Sequence, residues 1–174
     1  MHPIVRSTFV ALATMTAVTF APTRLSAQGA KVDPCSLLSV AQVNQATGKT
    51  NYGAGERGEP GDGVGGGDPC NYDASGPARA PTVSVIVIPP KSTGRYHDWL
   101  KKQKATPGCT RSAVPGLGVD AFTEECARYS SLPLYMRGKS YDVVVGIQMS
   151  RAGDFAANRP AVIALARAVA PKIR

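Results

Sequence analysis

Gly61-Asp62-Gly63-Val64-Gly65-Gly66 spells G-x-G-x-x-G, and Thr47-Gly48-Lys49-Thr50 ends like a phosphate-binding P-loop. Such glycine turns cradle phosphate where a strand feeds the turn and a helix opens at its end, so that backbone N–H groups converge on the anion. The first pattern is followed by Asp68-Pro69-Cys70 and a strand-like run, and the second has Val43 where its leading glycine belongs. Gly48 is read instead as the left-handed residue that closes a helix. Asp62 and Asp68 could offer oxygens to calcium, but a calcium loop supplies more carboxylates at tighter spacing.

Hydrolytic chemistry meets similar obstacles. Gly138-Lys139-Ser140-Tyr141-Asp142 carries the first half of G-x-S-x-G, with Asp142 in place of the second glycine. A Ser–His pair would have to recruit His97, which falls beside the apolar stripe of a Lys-rich helix and is expected at the solvent. Glu124 and Glu125 are adjacent, but neighbours on a strand point to opposite faces and cannot work on one bond. The expectation is a chain with no catalytic residue, no cofactor and no metal.

Four cysteines, Cys35, Cys70, Cys109 and Cys126, have no C-x-x-C spacing and little histidine to join them, which argues against zinc. An even number of cysteines in an exported chain implies two disulfides, with three connectivities open. Export is itself expected. Arg6 precedes an apolar run over 9–20 that is too short to span a membrane, and Leu25-Ser26-Ala27 offers a cleavage site before Gln28. No cysteine follows that site to take a lipid, so residues 1–27 read as a signal peptide and the rest as one soluble periplasmic or extracellular domain without a transmembrane segment.

The formal net charge is +8, and two of those charges, Arg6 and Arg24, lie in the leader, which has no acid. Lys91, Arg95, Lys101, Lys102, Lys104 and Arg111 cluster along the chain with Asp98 as the sole acid among them. Such a cluster serves either as the wet face of a helix or as an anion-binding patch for an anionic envelope component or an acidic protein. No stacking aromatics interleave with these charges, so nucleic acid is not an expected partner.

The elements that must position these residues follow from periodicity. Ser39-Val40-Ala41-Gln42 fits a capping box, Leu38 and Val43 a hydrophobic staple, and the spacing predicts a helix over 39–47. Residues 51–68, dense in glycine, read as a flexible loop. A strand begins at Cys70, and 81–88 is a clear strand, with Val83, Val85 and Val87 on one face and Ser84, Ile86 and Ile88 on the other. A helix over about 94–104, capped by Ser92 or Thr93, groups Tyr96, Trp99, Leu100 and Gln103 on one stripe and turns Arg95, Asp98, Lys101 and Lys102 away. Residues 105–118 read as loop, 119–123, 132–137 and 141–149 as strands, with a hairpin turn at 138–140. A last helix runs from about 158 to 169. Hairpin-compatible links dominate, so the fold class is α+β: an antiparallel sheet of about five strands with helices packed mainly on one face.

The run Asp33-Pro34-Cys35-Ser36-Leu37-Leu38, then Val40 to Gly48, Cys70-Asn71-Tyr72, Pro115 to Phe122 and Asp142 to Val145 resembles a group of small exported domains of unknown function. These are often lipoproteins of actinobacterial envelopes; this chain differs in lacking a lipobox cysteine and in its glycine-rich loop. The resemblance implies an α+β envelope domain with a disulfide from the Asp-Pro-Cys start to the Cys-x-Tyr strand, and it brings no catalytic residue. Pairing of sequence neighbours, Cys35 with Cys70 and Cys109 with Cys126, is the expected connectivity. The expected function is a non-enzymatic binding or sensing module of the bacterial envelope. The alternatives are a hydrolase of envelope polymers and an inhibitory or structural protein partner. A polar pocket holding His97, or both Glu124 and Glu125, would favour the hydrolase.

Overall fold

The computed structural model describes residues 32–76, 81–118, 120–149 and 154–174. The expected leader over 1–27 lies outside them. In chain order the elements are α1 (Val40–Thr47), β1 (Glu56–Arg57), β2 (Asp68–Asp73), β3 (Thr82–Ile88), α2 (Tyr96–Lys102), β4 (Cys109–Ala113), β5 (Phe122–Cys126), β6 (Ser131–Arg137), β7 (Asp142–Gln148) and α3 (Phe155–Val169). The strands form one antiparallel sheet in the order β1-β2-β3-β7-β6-β5-β4. The fold is α+β, but the sheet has seven strands rather than about five. Both additions, β1 and β4, are edge strands. An edge strand buries little, so β1 and β4 carry no apolar alternation that a sequence could display.

One face of the sheet is covered by helices. The capping box at Ser39 forms as expected: its hydroxyl accepts from the Gln42 N–H at 3.2 Å, while the Gln42 side chain accepts from the Ser39 N–H at 2.9 Å. Gly48 closes α1 with φ +66°, a left-handed conformation that glycine adopts without a steric cost. Val43 of α1 and Val162, Leu165, Ala166 and Val169 of α3 are fully buried against Val83, Val85, Leu132, Leu134, Val143 and Val145. Burying side chains of this size stabilises by roughly 1.5–3 kcal/mol each relative to exposure. The Tyr72 hydroxyl donates to the Leu38 carbonyl at 2.7 Å, and the Cys35–Cys70 disulfide fastens the same N-terminal segment to β2. The second disulfide joins Cys109 to Cys126, residues facing each other across the β4–β5 ladder. Both pairings agree with the expected connectivity.

The opposite face is only partly covered. Ile86, Ile88, Phe122, Tyr135 and Val144 form a second apolar cluster under α2, through Leu100 and Tyr96. Thus α2 packs on the face away from α1 and α3. Its orientation also differs from the sequence expectation: His97 and Leu100 are buried, Trp99 is exposed, and Arg95 turns inward. The physical cause is Asp142 at the start of β7, which accepts from the Arg95 Nε at 3.0 Å and from the His97 backbone N–H at 2.9 Å and so fixes the rotation of the helix. No side chain caps α2 at Ser92 or Thr93; Arg95 occupies that position.

Two further boundaries shift. The strand expected over 119–123 forms at Phe122–Cys126, since Asp120 has φ +62° and cannot extend a strand. The last helix begins at Phe155, so Pro160 lies inside it rather than at its start. Phe155 packs against the core, and the Asn158 side chain donates to the Asp154 carbonyl, which secures that extra turn.

Candidate binding groove on the open sheet face

Beside α2, this second face carries a groove of about 330 Å³. Its floor alternates out of three neighbouring strands: Ser84 and Ile86 of β3, Val144, Gly146 and Gln148 of β7, and Pro133 and Tyr135 of β6. Sequence alternation dictates this, because each of these residues is two positions from the next on its strand. The β5–β6 ladder has only two residue pairs, Phe122↔Tyr135 and Thr123↔Leu134. Pro133 comes next and brings no N–H to extend it. Beyond that point β5 is free of β6, and Glu124 and Cys126 form a wall of the groove instead of the adjoining floor.

The glycine-rich segment supplies the other wall. It is a loop, as its composition suggests, but it contains β1 and a 3-10 turn over Val64–Gly66 and lies against the sheet. A Cβ on Gly67 would come within 2.7 Å of the Ile86 side chain, so glycine permits this approach. Val64 and Tyr129 both line the groove, 36% and 46% exposed. Together with Trp99, at 54%, they are the exposed large hydrophobic residues among those described.

Glu124 is the charged group of the groove. Arg111 Nε donates to its Oε1 at 2.8 Å, and Arg111 also donates to the carbonyls of Leu100 and Gln103 at 2.7 and 2.9 Å while stacking over the Phe122 ring. The ion pair therefore closes the C-terminal end of α2 and neutralises the groove's carboxylate. Tyr135 stacks on Phe122 with ring centroids 5.1 Å apart. Burial, then Tyr96 and Glu124 nearby, push its hydroxyl pKa well above the ordinary tyrosine value. It stays a neutral, weakly acidic phenol at physiological pH.

The residues singled out in the sequence are dispersed around this site. Glu124 and Glu125 point to opposite faces, Glu124 to Arg111 and Glu125 to Arg159 of α3. His97 is 1% exposed rather than solvated, its Nε2 3.0 Å from the Asp120 carbonyl and its Nδ1 buried without a partner among the described residues. Neither His97 nor Glu125 reaches the groove. Of the basic cluster, Arg95 pairs with Asp142, Lys101 with Asp120 and Arg111 with Glu124. Asp98, expected to lie among these charges, pairs with Arg137 of β6. Lys91, Lys102 and Lys104 are exposed and have no carboxylate partner among the described residues. The acids that occupy the other three are Asp142 of β7, Asp120 ahead of β5 and Glu124, which faces Arg111 across the β4–β5 ladder; the fold, not chain proximity, brings them there.

Apart from Glu124, the groove residues were missed at the level of sequence. The available signal was that β3 and β7 are apolar on both faces, with Val143, Val144 and Val145 consecutive, while only the seven-residue α2 can shield the second face. Among the described residues no group of three or more His, Cys, Asp or Glu side chains could hold a metal ion, and no helix is long and apolar enough to cross a membrane.

No protein-family model matches the chain, and no curated protein proved similar to it. Among solved structures, the crystal structure of a GTP binding regulator from Thermotoga maritima is similar at 11% identity and a TM-score of 0.38, covering 79% of this chain and 91% of that one.

Proposed function

We propose that the protein is a non-enzymatic exported binding or sensing module of the bacterial envelope, and that its open sheet face takes the apolar part of a small ligand. The observation that carries this reading is the groove, with Ile86, Val144, Tyr135 and Pro133 inside it and exposed Val64 and Tyr129 at its rims. Its volume falls at the small end of the roughly 300–1,000 Å³ common for ligand pockets, and a mostly apolar lining with one polar anchor is the usual composition of such a site. Arg111 occupies one oxygen of Glu124, and no hydrogen bond among the described residues takes the other, so a ligand hydroxyl or amide has an acceptor there. Export is supported by the two disulfides, which persist in oxidising compartments, and by the signal-like leader. An anionic envelope component as a further partner is supported by Lys91, Lys102 and Lys104 alone.

Gly146 provides the test. A Cβ there would meet nothing closer than 3.7 Å, so a side chain can enter the groove without displacing the backbone. The purified protein is expected to enhance the fluorescence of cis-parinaric acid, and octanol is expected to displace it. Gly146→Phe should abolish both while leaving the melting temperature within a few degrees. Probe binding that survives Gly146→Phe would place the site elsewhere and overturn the reading.

A further inference from the structure

We infer that the groove's ligand is a glycosylated amphiphile, its apolar chain in the groove and a neutral sugar ring against Trp99; this head-group assignment rests on the groove reading above. A second cleft of about 280 Å³ adjoins the groove, lined by Gly65, Lys91, Thr93, Gly94, Tyr96 and Trp99, with Arg95 in its wall. The two are neighbours, with Tyr96 between them. Val64 lines the groove and the next residue, Gly65, lines the cleft; Tyr96 lies 6.5 Å from Tyr135 of the groove floor and 5.6 Å from Trp99, ring centroid to centroid.

Tyr96 backs one face of the Trp99 indole at an interplanar angle of 28°, while the residue as a whole is 54% exposed. The result is a flat apolar plate held in a fixed orientation, with Lys91 and Thr93 as polar groups at the cleft margin. A pyranose ring has the matching chemistry, with C–H groups on its face for the indole and hydroxyls at its edge for an ammonium and a hydroxyl group. A phosphate or carboxylate head would find one uncommitted cation in the cleft, Lys91, and two features that oppose it. The face of an aromatic ring carries negative charge density and repels anions. Arg95, the strongest cation in the cleft wall, is committed to Asp142 and to the carbonyls of Gly138 and Lys139. Gly65 brings the loop within contact of the Tyr96 ring, where a Cβ would come within 2.8 Å, and so the loop that walls the groove also supports the plate.

Trp99 is the one tryptophan of the chain, so its emission reports on the cleft alone. The probes are octanol, and octyl glucoside and octyl phosphate below their micelle concentrations. Octyl glucoside is expected to shift Trp99 emission to the blue and to bind about tenfold or more tightly than octanol, a difference of about 1.4 kcal/mol. In parinaric acid competition, Trp99→Ala should remove that preference and leave octanol binding unchanged, while Trp99→Phe should retain part of it. Circular dichroism of both variants checks that they fold. Equal binding of octanol and octyl glucoside, tighter binding of octyl phosphate, or an unchanged preference in Trp99→Ala would overturn the head group while leaving the groove standing. Failure of both octyl glucoside and octanol to bind would overturn the groove reading, and this inference with it.

Discussion

Arg95 and Asp142 decide how one face of the protein is presented. Asp142 is nearly inaccessible and holds Arg95 through its side chain and α2 through the His97 N–H, so the pair sets which side of α2 meets the sheet. Removing one partner of a buried ion pair strands the other charge, at a cost of about 3–5 kcal/mol. Arg95→Ala is therefore expected to lower stability by that order in denaturant titrations, and to quench Trp99 emission differently because α2 loses its anchor. Tyr135 offers a pH prediction. Its ionised form is disfavoured in the folded state, so the stability associated with the neutral phenol is fully present below the unfolded tyrosine pKa of about 10 and declines as the pH rises beyond it. Alkaline unfolding should begin above about pH 10, and Tyr135→Phe should make the alkaline limb shallower. A stability curve identical for both proteins above that pH would contradict the assignment. At this scale the sequence was informative about what Glu124 and Glu125 could not do together, since strand alternation alone separates them. It was silent about Arg95, whose partner lies 47 residues away.

The elements divide by how much they bury. In α1 the local cues and the core agree: Ser39 and Gln42 cap it, Leu38 and Val43 are buried in the same core, and Gly48 ends it. The strand β3 and the β6–β7 hairpin were legible because their apolar runs report burial directly. The edge strands β1 and β4 were not, and β5 was displaced because Asp120, at φ +62°, breaks the strand expected there; its two glutamates pair with arginines of β4 and α3. The glycine-rich segment was legible as a loop but not as a wall. Gly65 tests that role: it has φ +69° and lies against the Tyr96 ring, so Gly65→Ala combines backbone strain with a steric conflict. The expected outcome is a loss of about 1–2 kcal/mol in thermal or denaturant unfolding, with faster amide exchange over residues 63–67. Gly48→Ala, which meets no neighbouring atom, should cost only the conformational part.

Across the whole molecule, two disulfides clamp what the core does not. Cys35–Cys70 spans 35 residues and includes the glycine-rich wall, while Cys109–Cys126 spans 17 and secures the β4 edge beside the groove. Loops of these lengths correspond to about 3–4 kcal/mol each by chain entropy, against a typical net stability of about 5–15 kcal/mol. Reduction should lower the melting temperature by well over ten degrees, and alanine replacement of Cys109 and Cys126 should weaken ligand binding more than it disturbs the helix-covered core. The disulfide framework was legible in the sequence because cysteine number and position are local facts. The open face was not, because it arises where an apolar strand surface exceeds what α2 can cover. The most direct test of the account is to map amide shifts by NMR while octanol is added to the uniformly labelled protein. Shifts are expected to concentrate on Ile86, Gly146, Tyr129 and Val64, with α1 and α3 unmoved; shifts centred on α3, or spread evenly over the surface, would rule out the groove as the binding site.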